Sequence, residues 1–278
     1  MFKKRFLLTF AFISFLGQNN DLLARENYLL QLKETGNCIA CDLKKKDLSG
    51  TDLSFSNLSE TNLKLSNLSH SNLFETSFGK SNLSYSDISM SNLSGAYLFE
   101  AKIRNSNLSG SDLYNSVGIK TDFSNSNLSY AILDEANLNN ANLSKVNLKG
   151  SSLYFTNLTR ANLYKANLKN SNLDEANLYK ANLFGANLLE SSLYNSNLEG
   201  SILKNSNLKN VNLSFSKLVN ANLDGSDLRG ANLNYSNLNG SSLKGANLKN
   251  VSLIGVTMEN ISTCKTLMPW GIENTNCN

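Results

Sequence analysis

Four cysteines, a single histidine and a scatter of carboxylates are the residues of this 278-residue chain that could do chemistry. Cys38 and Cys41 stand near the start, and Cys264 and Cys277 near the end. Such a set can form disulfides, hold zinc as a group of four, or cycle as a redox pair at Cys38-Ile39-Ala40-Cys41. Four cysteines allow three pairings. A redox pair is expected beside a βαβ pattern, and none surrounds this one, which favours structural disulfides. His70 has no nucleophile pattern around it. No glycine-rich phosphate loop occurs, so no catalytic residue, cofactor or metal site is expected.

The elements that must position these residues follow one rule. From Leu43 to Met258 a large apolar residue returns at every fifth position, which makes (258 − 43)/5 + 1 = 44 units without insertion or deletion. The central residue is Leu in 38 of them, the exceptions being Phe78, Ile88, Ile103, Phe123, Met258 and the one gap, Gly118. Two places before the centre stands Ala, Ser, Thr or Val in 42 units, and one place before it Asn or Asp in 32. The two places after it read as free and mostly polar. A helix repeats apolar residues at three and four, and a strand at two, so a return at five requires a corner once per unit. The recurrent Asn-Leu-Ser triplets match a glycosylation acceptor but follow from this grammar alone.

Runs such as Ala161-Asn162-Leu163-Tyr164-Lys165 and Ala166-Asn167-Leu168-Lys169-Asn170 resemble the pentapeptide-repeat family, whose pattern is A(D/N)LXX. The resemblance covers residues 41–260, 220 of the 278. It implies an all-β fold, a right-handed quadrilateral β-helix with one unit per side and four units per coil. Forty-four units then make about eleven coils, a rod roughly 50 Å long at ~4.8 Å per coil. The absence of Pro before Pro269 suits backbone donors needed on successive coils. On such a rod the two cysteine pairs lie far apart, whereas a disulfide needs Cα atoms within about 7 Å. The resemblance thus implies Cys38–Cys41 and Cys264–Cys277, and no four-cysteine zinc site within one molecule. Both cysteine segments also resemble the ends of exported members of cyanobacterial type. In those Met-Pro is followed by Asp-Gly, whereas Trp270 follows Met268-Pro269 here.

Four units per coil sort the outward residues onto four sides. The first side carries nine cations against three anions (+6), the second six against four (+2), the third none against seven (−7), and the fourth five against four (+1). Lys145, Lys165, Lys204 and Lys244 belong to the first side. The third gathers Tyr114, Tyr154, Tyr194 and Tyr235 with Asp134-Glu135 and Asp174-Glu175. These lysines and tyrosines are the candidate binding residues. Exposed acidic pairs on a flat side have nothing to raise a pKa for acid–base work.

Lys3, Lys4 and Arg5, the twelve apolar-run residues Phe6 to Gly17, and Leu22-Leu23-Ala24 read as a signal peptide over residues 1–24. The run is short of the ~20 residues that span a bilayer, so no transmembrane segment is expected once it is removed. Residues 25–40 read as a helical cap in which Tyr28, Leu29 and Leu32 share a face and Gly36 is the stop. Residues 41–260 are the solenoid, and residues 261–278 a disulfide-closed upper cap. The expected function is an exported, non-enzymatic structural or binding solenoid of the periplasm, thylakoid lumen or extracellular space, meeting a protein or an anionic surface. Two alternatives stand beside it. One is the DNA mimicry by which similar family members protect DNA gyrase, which calls for an acidic rod in the cytoplasm. This chain is +4, and without residues 1–24 it has 23 cations against 21 anions, or +2, which disfavours nucleic-acid-like chemistry. The other is glycan or cell-wall binding along the aromatic side. At Gly118 a bulge is expected to turn Val117 or Ile119 inward.

Overall fold

A computed structural model describes residues 27–275 and Cys277. The expected signal peptide lies outside the described residues. Helix α1, residues 27–35, stops at Gly36, whose φ of +64° is the left-handed conformation that ends helices and whose N–H donates to Leu32 O at 2.9 Å. Leu32 is buried, and Tyr28 and Leu29 pack against the same core. The three residues read from the sequence as one face are thus the ones that meet the core.

Above it, every residue before a centre forms a parallel bridge with the residue twenty places on, from Asn37↔Asn57 to Asn247↔Leu267. Twenty residues per turn with a corner every five make a four-sided coil. The pairing reaches below residue 41, because Asn37 takes part and Cys38 occupies a central position, fully buried. It also continues above 260, where Thr263 and Met268 carry on the centres and are buried. There the chain forms strand β1, Thr263–Met268, and turns back as β2, Gly271–Thr275, antiparallel to it. Among the described residues no helix is long and apolar enough to cross a membrane.

One unit shows how the grammar builds the coil. Leu63 points inward, and its N–H donates to Asn82 O in the coil above at 2.8 Å. Asn62 N–H donates to Cys41 O in the coil below at 2.9 Å, and Leu65 N–H to Ser84 O above at 3.1 Å. Thr61 N–H closes the corner on Leu58 O at 3.3 Å. The remaining donor, Lys64 N–H, is taken by the Asn62 side-chain oxygen at 3.3 Å. All five N–H groups of the unit thus have acceptors, as a closed backbone requires. The Asn is a corner cap, and its amide also joins a ladder: Asn62 Nδ2 donates to Asp42 Oδ1 one coil below at 2.8 Å. On the second side this ladder runs unbroken from Asp87 through Asn107, Asn127, Asn147, Asn167 and Asn187 to Asn207. Most Ser and Thr two places before the centre donate to a central carbonyl, as Ser66 does to Leu63 and Ser71 to Leu48, while Ser116, Ser201 and Ser241 have no partner for their hydroxyls.

The last place of each unit is not free, contrary to the reading above. Every residue numbered by a multiple of five from Ala40 to Lys265 has a φ between 50° and 72°. That left-handed turn swings the chain through the corner, and it disfavours side chains branched at Cβ. None of the 44 repeat units ends in Val, Ile or Thr, and half end in Asn or Gly, the residues that adopt this conformation most readily.

Gly118 is a second correction. The bridges Tyr97↔Val117↔Asn137 keep register, and Val117 and Ile119 remain half-buried outside the core, so no bulge forms. The space is taken from above: a Cβ built on Gly118 would lie 2.7 Å from Leu138 Cδ2. The main obstruction is the tip of a flexible side chain, with Thr121 Oγ1 at 3.3 Å needing to give by only a few tenths of an ångström, and the φ of Gly118 is not in the left-handed region. In the Gly118→Leu variant, Leu138 is expected to swing back into its own layer. The added buried side chain and the lost glycine freedom should then stabilise by about 1 kcal/mol. A lower melting temperature in calorimetry would contradict this account.

Candidate binding faces

The twenty-residue return turns sequence positions into vertical columns. On the first side Lys145 and Lys165 stand at corners in adjacent coils, both exposed. Lys204 and Lys244 lie higher on that side, one place after their centres, the former exposed and the latter half-buried. The four lysines therefore share a face but occupy two parallel files. Lys165 Nζ sits 5.3 Å from the Tyr164 ring centroid. The second side is less basic than its composition suggests. Lys209 and Arg229 both reach Asp227, at 3.2 and 2.7 Å, and Lys169 reaches Glu190 at 3.9 Å. The Arg229 guanidinium is the main reason that the Asp227 carboxyl is held down at about 2.

On the third side Tyr114, Tyr154 and Tyr194 form one column, each one place after its centre and two coils from the next. Two coils are ~10 Å. The acidic pairs Asp134-Glu135 and Asp174-Glu175 fill the intervening coils. Tyr154 Oη donates to Glu175 Oε1 at 3.4 Å. The hydrogen bond to Glu135 is the first cause that raises the Tyr114 phenol, while for Tyr154 burial comes first and the Glu175 charge second. Tyr235 belongs elsewhere: it stands at a corner and stacks on Phe215 at 5.0 Å, which in turn meets Tyr194 at 5.5 Å. His70 is a corner residue with φ 58°. Cys38–Cys41 and Cys264–Cys277 are disulfide-bonded, as the resemblance implied, and the first joins the two ends of a corner turn.

The aspartates of the third side have a task that sequence reasoning missed. Where Ser replaces the capping Asn, the following N–H would lose its acceptor. Asp134, from the coil below, takes both Ser152 Oγ at 2.5 Å and Tyr154 N–H at 2.8 Å. Asp174 does the same for Ser192 Oγ and Tyr194 N–H. Asp224 serves Ser242 and Lys244, and Asn234 serves Ser252 and Ile254. The signal was present as an Asp or Asn eighteen residues before a Ser that breaks the pattern. Each of these residues fastens one coil to the next, and Asp134 and Asp174 also fix the backbone of Tyr154 and Tyr194. Asp174→Ala strands a hydroxyl and an N–H and is expected to cost about 1–3 kcal/mol. Adding Ser192→Asn restores a cap of the kind that Asn172 gives Asp174, so the double variant should regain most of the lost melting temperature. No recovery would show that Asp174 does not act through this bracket.

The family described as pentapeptide repeats matches in overlapping or adjoining stretches running from residues 37–69 to 221–260. Among solved structures, the chain is similar to HetL, a pentapeptide repeat protein involved in heterocyst differentiation regulation in Nostoc sp. strain PCC 7120. That match is 28% identical over 87% of this chain and 96% of that one, with a TM-score of 0.30. Full-length QnrB1, a plasmid-mediated fluoroquinolone resistance protein, is 15% identical over 81% and 92%, with a TM-score of 0.28. A pentapeptide repeat protein of the Arabidopsis thaliana thylakoid lumen is 27% identical over 38% and 68%, with a TM-score of 0.20. No curated protein matches.

Proposed function

Because this chain belongs to the pentapeptide-repeat family, we propose that it is an exported, non-enzymatic binding solenoid whose basic first side docks on an anionic surface. In this reading about eleven coils form the rod, α1 closes it below, and the β1–β2 hairpin held by Cys264–Cys277 closes it above. The segregation of charge into columns carries the proposal: a side of nine cations against three anions stands opposite one of seven anions and no cation. A random scatter would be averaged by the coil, whereas columns present like charges ~4.8 Å apart along a face. Two disulfides favour an oxidising compartment, hence the periplasm, thylakoid lumen or extracellular space.

The reading is tested with phosphatidylglycerol vesicles. Binding is expected at low salt and should fall steeply as ionic strength rises, because exposed charges are screened. Replacing Lys145, Lys165 and Lys204 by Ser together should abolish it. Salt-insensitive or absent binding removes the docking role, and free thiols in protein recovered from its native compartment remove export.

A second reading rests on the third side. Three tyrosines at ~10 Å intervals match the spacing of alternate sugars in a β-1,4-linked glycan. Sedimentation with insoluble peptidoglycan, lost in Tyr154→Ala, would support it, and equal sedimentation of wild type and variant would dismiss it.

A further inference from the structure

The lower half of the first side contains a depression of about 260 Å³ that the docking row does not include. Its cause is local. Going up the side, the place after the centre holds Lys64, then Ser84, then Arg104, so a short buried side chain lies between two long cations. In the upper of these coils Lys102 takes the place of the capping Asn. The amide bond that joins Asn62 to Asp42 is not repeated at Asn82, whose Oδ1 accepts the Ser84 N–H at 3.1 Å, and Lys102 offers no amide to continue it. The corner residue Tyr85 forms a wall, with Lys64 Nζ 5.3 Å from its ring centroid. Arg104 is steadied through Nε by Asp122 at 3.2 Å.

Three cations thus border one dent from below and above, and its lining contains no carboxylate. Asp122 offsets one of the three charges, and Lys64 and Lys102 make no ion pair among the described residues. Asn105 adds an amide at the upper rim.

We infer that this depression is a binding site for a tetrahedral oxyanion, the phosphate or sulfate group of an ester whose organic part lies on Tyr85. Two ammonium groups and a guanidinium approach from different directions, which suits oxygens spread over a tetrahedron better than the two coplanar oxygens of a carboxylate. The dent confines the anion, and the half-exposed Tyr85 ring offers an apolar face to the remainder of the molecule. The site shares the first side with Lys145, Lys165, Lys204 and Lys244 but lies at least two coils below them, so its failure and that of the docking role are distinguished by variants at the two places.

Calorimetric titration of the full chain at low salt with inorganic phosphate, inorganic sulfate and acetate provides the test. Phosphate or sulfate is expected to bind and acetate not to, and whichever of the two binds more tightly identifies the ester class. Lys102→Asn restores the repeat pattern, so the fold tolerates it, and it should weaken oxyanion binding about tenfold. Ser84→Lys is the discriminating variant. It raises the net charge, at a place where Lys64 and Lys44 are already accommodated, but it fills the dent. A confined site predicts that binding is lost, whereas diffuse attraction predicts that it strengthens. Unchanged or stronger binding in Ser84→Lys, equal affinity for acetate, or no binding by the wild-type chain overturns the inference. Lys145→Ser with Lys165→Ser should leave the titration unchanged.

Discussion

The coil-to-coil backbone hydrogen bond is the interaction on which this molecule depends, and it sets a strict condition on the chain. Each central N–H must meet a carbonyl nineteen residues on, from Leu43 with Asn62 to Leu248 with Leu267. That meeting occurs only if every side is the same length and every corner turns by the same amount. The left-handed residue at each fifth position makes the corner, and the unbroken five-residue count keeps the lengths equal. A single inserted residue would turn every later side chain from the core to the surface. The inward leucines fill the coil, but they could fill many shapes. The hydrogen-bond return selects this one.

The same condition governs the surface. Because the coil is rigid in its phase, residues twenty apart are neighbours, and any bias in composition along one phase becomes a column. Departures from the repeat pattern then become the informative positions. Lys102 replaces a capping Asn and Ser84 a longer side chain, and together they open a dent among cations, while Ser152 and Ser192 give up their caps and are served by Asp134 and Asp174 from below. In a fold whose ordinary units satisfy themselves, an irregular unit either finds a compensating partner or leaves a feature on the face.

The ends pose a different problem, since a terminal coil has an open core and unpaired edges. At the lower end Leu32 of α1 is buried in the core, and Cys38 stands in place of a central leucine, tied to Cys41 across the first corner. At the upper end the chain leaves the coil as β1, reverses, and pairs with itself as β2, with Cys264 and Cys277 joined. Covalent links thus stand where the stacking of neighbours runs out.

Much of this was legible in the amino-acid order. The five-residue return, the inward leucines, the small residues beside them and the charge of each side are local or strictly periodic, so they follow once the phase is known. The ban on branched residues at the corners was also written there, in Asn105, Gly110, Asn115 and their equivalents, but its meaning needed the backbone angle. What only the tertiary structure decided is how the exceptions are resolved. Gly118 keeps its register because Leu138 leans into the space, and Asp174 is a fastener because Ser192 lies directly above it. Tyr235, which its phase places at a corner, stacks on Phe215. Each outcome turns on the contact of side chains eighteen to twenty residues apart, and a periodic pattern states which residues are neighbours without stating which of the available contacts they make.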